Sequence, residues 1–218
     1  MSPGPVRELA PVVPAEGEPP EDIGTGHPMR AVTEQIALDP SSWTRELAER
    51  VGSFFDERAG DWAAQRSDRS DVLVDALDRG LEQLLAPVVE LGAGTGAGTR
   101  VLAERVEHVV AGDLAAEMLV HLPADLADRV RLDASTLPFA DGSVGTLVCV
   151  NMLLFADEVR RVLAESGALV WVSSIGERTP IHLSTDALAA ALGDGFSVTA
   201  SRCGWGTWAV ALRGRDGT

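Results

Sequence analysis

Apolar and polar positions follow three successive regimes along this chain. Residues 1–28 show no period at all. Seven of the twelve prolines fall there (3, 5, 11, 14, 19, 20 and 28), mixed with Glu and Gly. Such a segment buries too little surface to offset its chain entropy, so 1–28 is expected to be a disordered tail. From 29 to 86 the apolar residues recur at helical spacing. In "DPSSWTRELAERVGSFFDERAGDW", Leu47, Val51, Phe54 and Phe55 fall at i, i+4, i+7 and i+8, which predicts a helix N-capped by Ser41 or Ser42. In "SDVLVDALDRGLEQLL" the stripe is Leu73, Leu77, Leu81, Leu84 and Leu85, and Pro87 ends it. Residues 29–86 are therefore expected to form an N-terminal helical cap.

From 87 to 218 the pattern alternates. Strands are expected at 88–91, 108–111, 129–132, 144–150, 168–173, 196–201 and 207–212, with helices at 97–106, 115–121, 156–164 and 184–192. The early strands are continuous apolar runs, as in a parallel sheet covered on both faces. The last two runs, in "FSVTASRCGWGTWAVALR", have no helix-length insert between them and predict an antiparallel hairpin. The fold class is α/β: a seven-stranded, mostly parallel sheet with a C-terminal antiparallel hairpin and helices on both faces. Its ligand belongs beyond the C-terminal ends of the strands.

Charge and composition narrow the chemistry. The net charge is −15, from 18 basic and 33 acidic residues, a poor footprint for nucleic acid or an anionic membrane. All 18 basic residues are arginine. Without lysine there is neither a pyridoxal Schiff base nor a Walker-type phosphate lysine. Cys149 and Cys203 have no metal-ligand spacing, and no metal site is expected. There is no run of about 18 apolar residues and no signal-peptide core, which predicts a cytoplasmic location. The oligomeric state is left open.

The chemistry concentrates in "VVELGAGTGAGT", residues 88–99. A strand, a glycine turn and a helix N-terminus form a ligand cradle, because glycine accepts positive φ and lets backbone approach a ligand. "GAGTGA" also fits the nicotinamide fingerprint, so the neighbours decide. Glu90 stands two residues before Gly92, expected at the mouth of the turn. There it would repel a pyrophosphate but attract a sulfonium and an ammonium. Asp113 ends the next strand, 21 residues after Gly92, in position for two ribose hydroxyls or as an N-cap. Asp133 ends the third strand and can accept from an adenine amino group. Asn151 stands at the C-terminal end of the fourth.

"VVELGAGTGAGT", "VVAGDLAAEML", "DASTLPFADGSVGTLVCVN" and "RRVLAESGALVWV" together resemble the ordered motifs of class I S-adenosylmethionine-dependent methyltransferases, notably the small-molecule, quinone-biosynthesis-like branch. The resemblance covers roughly residues 88–173. It implies a Rossmann-like fold, S-adenosylmethionine as cofactor, and methyl transfer to a small-molecule acceptor by in-line displacement at the sulfonium methyl. Glu90 would contact the methionine moiety, and Gly92, Ala93, Gly94 and Gly96 would line the cofactor. Asp113 would hold the ribose with Leu114 against the adenine. Asp133 and Ala134 would read the adenine edge, and Asn151 would lie near the methyl donor. Two departures stand out: Glu165-Ser166-Gly167 replaces the usual Pro-Gly-Gly, and the stretch from Asn151 to Arg161 lacks the histidine pair often found there.

The acceptor side is less legible. His27 falls in the tail, His108 opens a strand and His121 ends a helix, so each is read as structural. His182 follows the fifth strand and could act as a base, contact substrate or serve as a loop residue. Trp43, Phe54, Phe55 and Trp62 could wall an acceptor pocket or pack on the sheet; Trp205 and Trp208 are read mainly as strand packing. Two other functions stay open. A non-catalytic S-adenosylmethionine-binding or scaffold protein is suggested by the missing base. A nicotinamide oxidoreductase is opposed by Glu90, Asp133 and the lack of a Tyr-Lys pair.

Overall fold

The computed structural model describes residues 2–64 and 70–214. Among these residues eight strands form one sheet: β1 (Val6–Glu8), β2 (Val88–Leu91), β3 (Val109–Asp113), β4 (Asp128–Arg131), β5 (Val144–Val150), β6 (Leu163–Ser173), β7 (Phe196–Cys203) and β8 (Gly206–Arg213). Their order is β1-β7-β8-β6-β5-β2-β3-β4. β8 runs antiparallel to both β6 and β7, and every other pairing is parallel. The sheet therefore has the expected mostly parallel character with a C-terminal hairpin, and eight strands instead of seven.

The eighth strand comes from the segment expected to be disordered. Val6–Glu8 pairs with Val198–Ala200, and Pro5 O accepts from Val198 N–H. Proline is tolerated here because β1 is an edge strand, where a missing N–H faces no partner. Gly4 makes the approach possible, since a Cβ there would overlap Phe196 O. The chain then runs along the β7–β8 turn: Gly204 N–H donates to Val13 O at 3.0 Å and Trp205 Nε1 to Glu16 O at 3.3 Å.

Among the described residues eight α-helices surround the sheet: α1 (Pro28–Leu38), α2 (Arg45–Asp56), α3 (Ala59–Ala64), α4 (Asp71–Gly80), α5 (Ala97–Ala103), α6 (Ala116–His121), α7 (Ala156–Val162) and α8 (Thr185–Leu192). Strand alternation divides the core between the two faces. Val89, Leu91, Leu147, Cys149, Leu169 and Trp171 pack with residues of α1, α7 and α8. Val88, Val148, Val170 and Val210 pack with α4 and α5.

Several boundaries differ from the periodicity. α2 starts at Arg45 with Thr44 as N-cap, because Pro40–Ser42 form a 3₁₀ turn capped by Asp39. Its buried face is Ala48 and Gly52 rather than the larger stripe; Phe54 is 43% exposed. The small residues let α2 settle on Leu114, whose Cγ lies 3.6 Å from where a Gly52 Cβ would stand. α4 ends at Gly80, short of Leu81, Leu84 and Leu85. There the helix meets β8 so closely that a Cβ would overlap Val210. β6 begins at Leu163, earlier than expected, directly after α7. Its pairing with β5 is irregular between Val144 and Thr146, opposite the Glu165-Ser166-Gly167 stretch, where Ser166 takes φ 62°. No helix among the described residues is long and apolar enough to cross a membrane.

Candidate functional site

β2, β3, the segment just after β4, and β5 end side by side, and their C-terminal residues gather the expected groups. The turn from β2 into α5 bends through three left-handed glycines: Gly92 (φ 70°), Gly94 (φ 55°) and Gly96 (φ 88°). In front of Gly94 a Cβ would meet nothing within 4 Å. Gly92 faces Met152, whose Sδ would lie 2.6 Å from a Cβ placed there. Ala93 is buried against Ala111, Leu119 and Leu122 and supports the turn from behind. Gly96 has the same supporting position, over Leu122.

Asp113 clamps this turn to the next strand. Its Oδ2 accepts from Gly94 N–H at 2.8 Å and its Oδ1 from Ala115 N–H at 2.9 Å. Burial raises its pKa and these backbone donors oppose the rise. Each oxygen keeps lone-pair capacity for a further donor. Leu114 follows, half-buried, facing α2. Asp133 lies two residues beyond β4. Its Oδ1 accepts from Ser135 N–H at 2.8 Å, and both oxygens accept from Trp43 Nε1 at 3.1 Å. Ala134 is buried beside it. A cavity of about 380 Å³ opens between α2 and this edge, bordered by Trp43, Gly52, Leu114, Arg131, Asp133 and Ser135.

Glu90 is placed differently from its expected position at the mouth of the turn. It is 1% exposed. Its side chain shares the Val88 face of β2 and points beneath α5, because successive residues of a strand face opposite sides. Thr99 Oγ1 donates to Glu90 Oε2 in a short hydrogen bond. Gly98 makes room for it, since a Cβ there would overlap Glu90 Oε1. Burial pushes the carboxyl up to about 8, with Thr99 opposing and the Asp113 charge adding to the rise. Near neutral pH Glu90 is therefore mostly a neutral acid that pins α5 to β2, rather than a free anion facing a ligand.

Asn151 takes φ 51° directly after β5. Asparagine is among the residues that tolerate this region. Its Oδ1 accepts from Ser174 N–H at 2.9 Å and its Nδ2 donates to Ser174 Oγ at 2.9 Å, so it ties the ends of β5 and β6 together. The turn it makes throws Met152 back over Gly92. His182 is buried, and its Nδ1 lies 3.0 Å from Arg30 Nη1. Arg30 also donates to Thr179 O at 3.0 Å and to Glu177 O. Burial, then the Arg30 charge, lowers the His182 pKa, so the neutral ring accepts from Arg30. His182 thus fastens α1 to the loop after β6, and the nitrogen facing Arg30 is not free to serve as a base.

The remaining candidates sit in structural positions. His27 caps α1 by accepting from Met29 N–H, while His108 and His121 are exposed. Trp208 donates to the buried Asp75 at 2.6 Å. Four contributors escaped the sequence reading: Thr99, Ser174, Arg30 and Met152. Thr99 had a signal, since it stands inside the glycine-rich stretch nine residues after Glu90. The others act across distances that no local pattern encodes. No group of three or more potential metal ligands occurs among the described residues.

Residues 89–170 match a family model described as a methyltransferase domain. The chain is 33% identical over 146 residues to the biotin biosynthesis bifunctional protein BioHC of Cellvibrio japonicus. That match takes in 62% of this chain but only 27% of the relative's length. Among solved structures, DhpI in its SAH complex superposes with a TM-score of 0.61 at 21% identity, over 78% of this chain and 98% of DhpI. DhpI has also been solved as a SAM-HEP complex. A SAM-dependent methyltransferase from Aquifex aeolicus superposes with a TM-score of 0.58 at 15% identity, over 72% of this chain and 97% of that one. The fold is the Rossmann-like fold of S-adenosylmethionine-dependent methyltransferases.

Proposed function

We propose that this methyltransferase domain binds S-adenosylmethionine and directs its methyl group to a small-molecule acceptor. The observation that carries the reading is the turn at Gly92–Gly96, open at Gly94, with Asp113 and Asp133 at the ends of the next two strands. The residues fit the cofactor. Asp113 keeps an acceptor site on each oxygen for a pair of ribose hydroxyls. Leu114 offers an apolar face to the nucleobase, and Asp133 and Ala134 lie at its polar edge. The backbone of Gly92, Ala93, Gly94 and Gly96 lines the turn, Met152 closes it from above, and Asn151 holds the end of β5 beside it.

When bound, the cofactor supplies an already activated methyl group on a sulfonium. The protein's share is then mainly to position the partners and exclude water. α1 and α2 cover the C-terminal edge of the sheet, and the Arg30–His182 contact fastens α1 in place. With the Arg30-facing nitrogen of His182 occupied, the arrangement suits an acceptor that arrives already nucleophilic. The net charge of −15 favours a small acceptor over a polyanion.

Calorimetric titration with S-adenosylmethionine and S-adenosylhomocysteine tests the cofactor assignment. Binding of neither at high micromolar concentration removes it. Asp113→Asn should weaken both ligands by roughly 10- to 150-fold, the loss of a charge-assisted hydrogen bond. Because Asp113 also clamps two backbone N–H groups, the variant should melt a few degrees lower; a ligand-saturated melting curve separates the two effects. A panel of acceptors (carboxylates, amines, phenols and quinones) tests transfer. Cofactor binding without any turnover across the panel would favour a non-catalytic binding protein.

A further inference from the structure

Trp43 of the helical cap hydrogen-bonds directly to an acid of the nucleotide side. Trp43 lies in the link between the 3₁₀ turn and α2, 90 residues from Asp133, yet its indole N–H is shared by both carboxylate oxygens at 3.1 Å. Its ring is held edge-on against Phe155, with centroids 5.5 Å apart and planes at 67°. A carboxylate offers about four acceptor sites. Trp43 and Ser135 together occupy two on Oδ1, and Trp43 occupies one on Oδ2. That leaves one, on Oδ2. Trp43, Asp133, Leu114 and Gly52 border the same cavity of about 380 Å³. A half-buried carboxylate with a single remaining acceptor site, held by an indole N–H and bordering the same cavity as an apolar side chain, suits the amino group of a flat heteroaromatic ring.

We propose that Trp43 is a positioning residue for nucleobase recognition, holding Asp133 so that its remaining acceptor site meets an exocyclic amino group. The inference rests on the S-adenosylmethionine reading of the site. It has a consequence that reading lacks: discrimination between adenine and hypoxanthine is set partly by the cap. Hypoxanthine presents an oxo group where adenine presents an amine, and an acceptor cannot bond to an acceptor.

The test is calorimetric titration of the full chain with S-adenosylhomocysteine and S-inosylhomocysteine. Wild type should prefer the adenine ligand. Trp43→Phe, which keeps a ring and loses the N–H, should weaken S-adenosylhomocysteine by about tenfold and shrink the adenine preference by a similar factor. Trp43→His, which retains a ring N–H, should restore part of the preference. Asp133→Asn, with the cap tryptophan intact, should lose the preference too. A merely structural Trp43 would lower the ligand-free melting temperature and leave the ratio of the two affinities unchanged; that result overturns the proposal. So does tighter S-adenosylhomocysteine binding by Trp43→Phe, which would make Trp43 a competitor for Asp133. If wild type binds neither ligand, the cofactor reading itself falls. If it binds both equally, only the nucleobase inference falls.

Discussion

The two walls of the site are held together in different ways. On the side of the glycine turn the contacts are short in sequence. Gly94 and Asp113 are 19 residues apart, Glu90 and Thr99 are nine, and Asp133 and Ser135 are two. On the cap side Trp43 reaches Asp133 over 90 residues, and Arg30 reaches His182 and Thr179 over 152 and 149. The glycine turn also follows β2, which is buried along its whole length, whereas Arg45, Glu46 and Glu49 of α2 are exposed. A region tied by few long-range contacts opens at lower free energy than one built into the central strands. The difference makes the glycine turn the more rigid wall and the α1–α2 side the looser one.

Gly98→Val should have the largest effect, because it attacks the rigid wall. A Cβ at this position overlaps Glu90 Oε1 beneath α5. Overpacking at a fully buried contact should cost about 3 kcal/mol or more, read from urea unfolding. A loss under about 1 kcal/mol would show that Glu90 and α5 move apart easily, and the contrast between the walls would disappear.

Glu90→Gln sharpens the same comparison through pH. The folded carboxyl titrates near 8 against an ordinary value of 4.5. Between those values the folded chain holds the extra proton, so wild-type stability falls as pH rises through about 8. Glutamine keeps an acceptor for Thr99 and cannot ionise. The variant should match wild type near pH 5 and exceed it near pH 9 by about 1–3 kcal/mol, a melting temperature roughly 2–10 °C higher. Parallel pH–stability curves for the two proteins would mean that Glu90 is ionised in the fold and that its buried position has been misjudged.

His182→Gln probes the cap and should have the smallest effect. His182 is buried in its neutral form, with a pKa below 6.5, so wild type should lose stability as pH falls below that value. Besides Arg30, the charges acting on it are Glu177 and Glu34. Glutamine can accept from Arg30 without titrating, so the variant's melting temperature should vary less between pH 5 and 6.5. The change at neutral pH should stay within about 1 kcal/mol. Affinity for S-adenosylhomocysteine should move by less than about twofold, since the contact lies away from Asp113 and Asp133. A large fall in turnover with stability and affinity intact would instead place His182 against the acceptor, and the cap would be catalytic rather than covering.

Much of the scaffold was determined by the sequence alone. The strands at 88–91 and 144–150 were legible to the residue, because a continuous apolar run between turn signals is a local property. The hairpin of β7 and β8 was legible as well, from the lack of a helix-length insert, although both strands run longer than 196–201 and 207–212. The glycine turn and the acids ending successive strands could likewise be read in order. What only the tertiary structure decided was where those side chains point and what reaches them. Glu90 and Asp113 look alike as motif acids, but strand alternation buries one under α5 and leaves the other at the mouth of the turn. Val6–Glu8 lacks any period and becomes a strand because β7 offers an unpaired edge. α4 stops at Gly80 because β8 is there, though its leucine stripe continues. Trp43 and His182 carried no pattern at all, and each gained its role from a partner on a remote segment. Periodicity and turn chemistry report on neighbours within a few residues. The partners of a buried charge or a covering helix are chosen when distant parts of the chain meet.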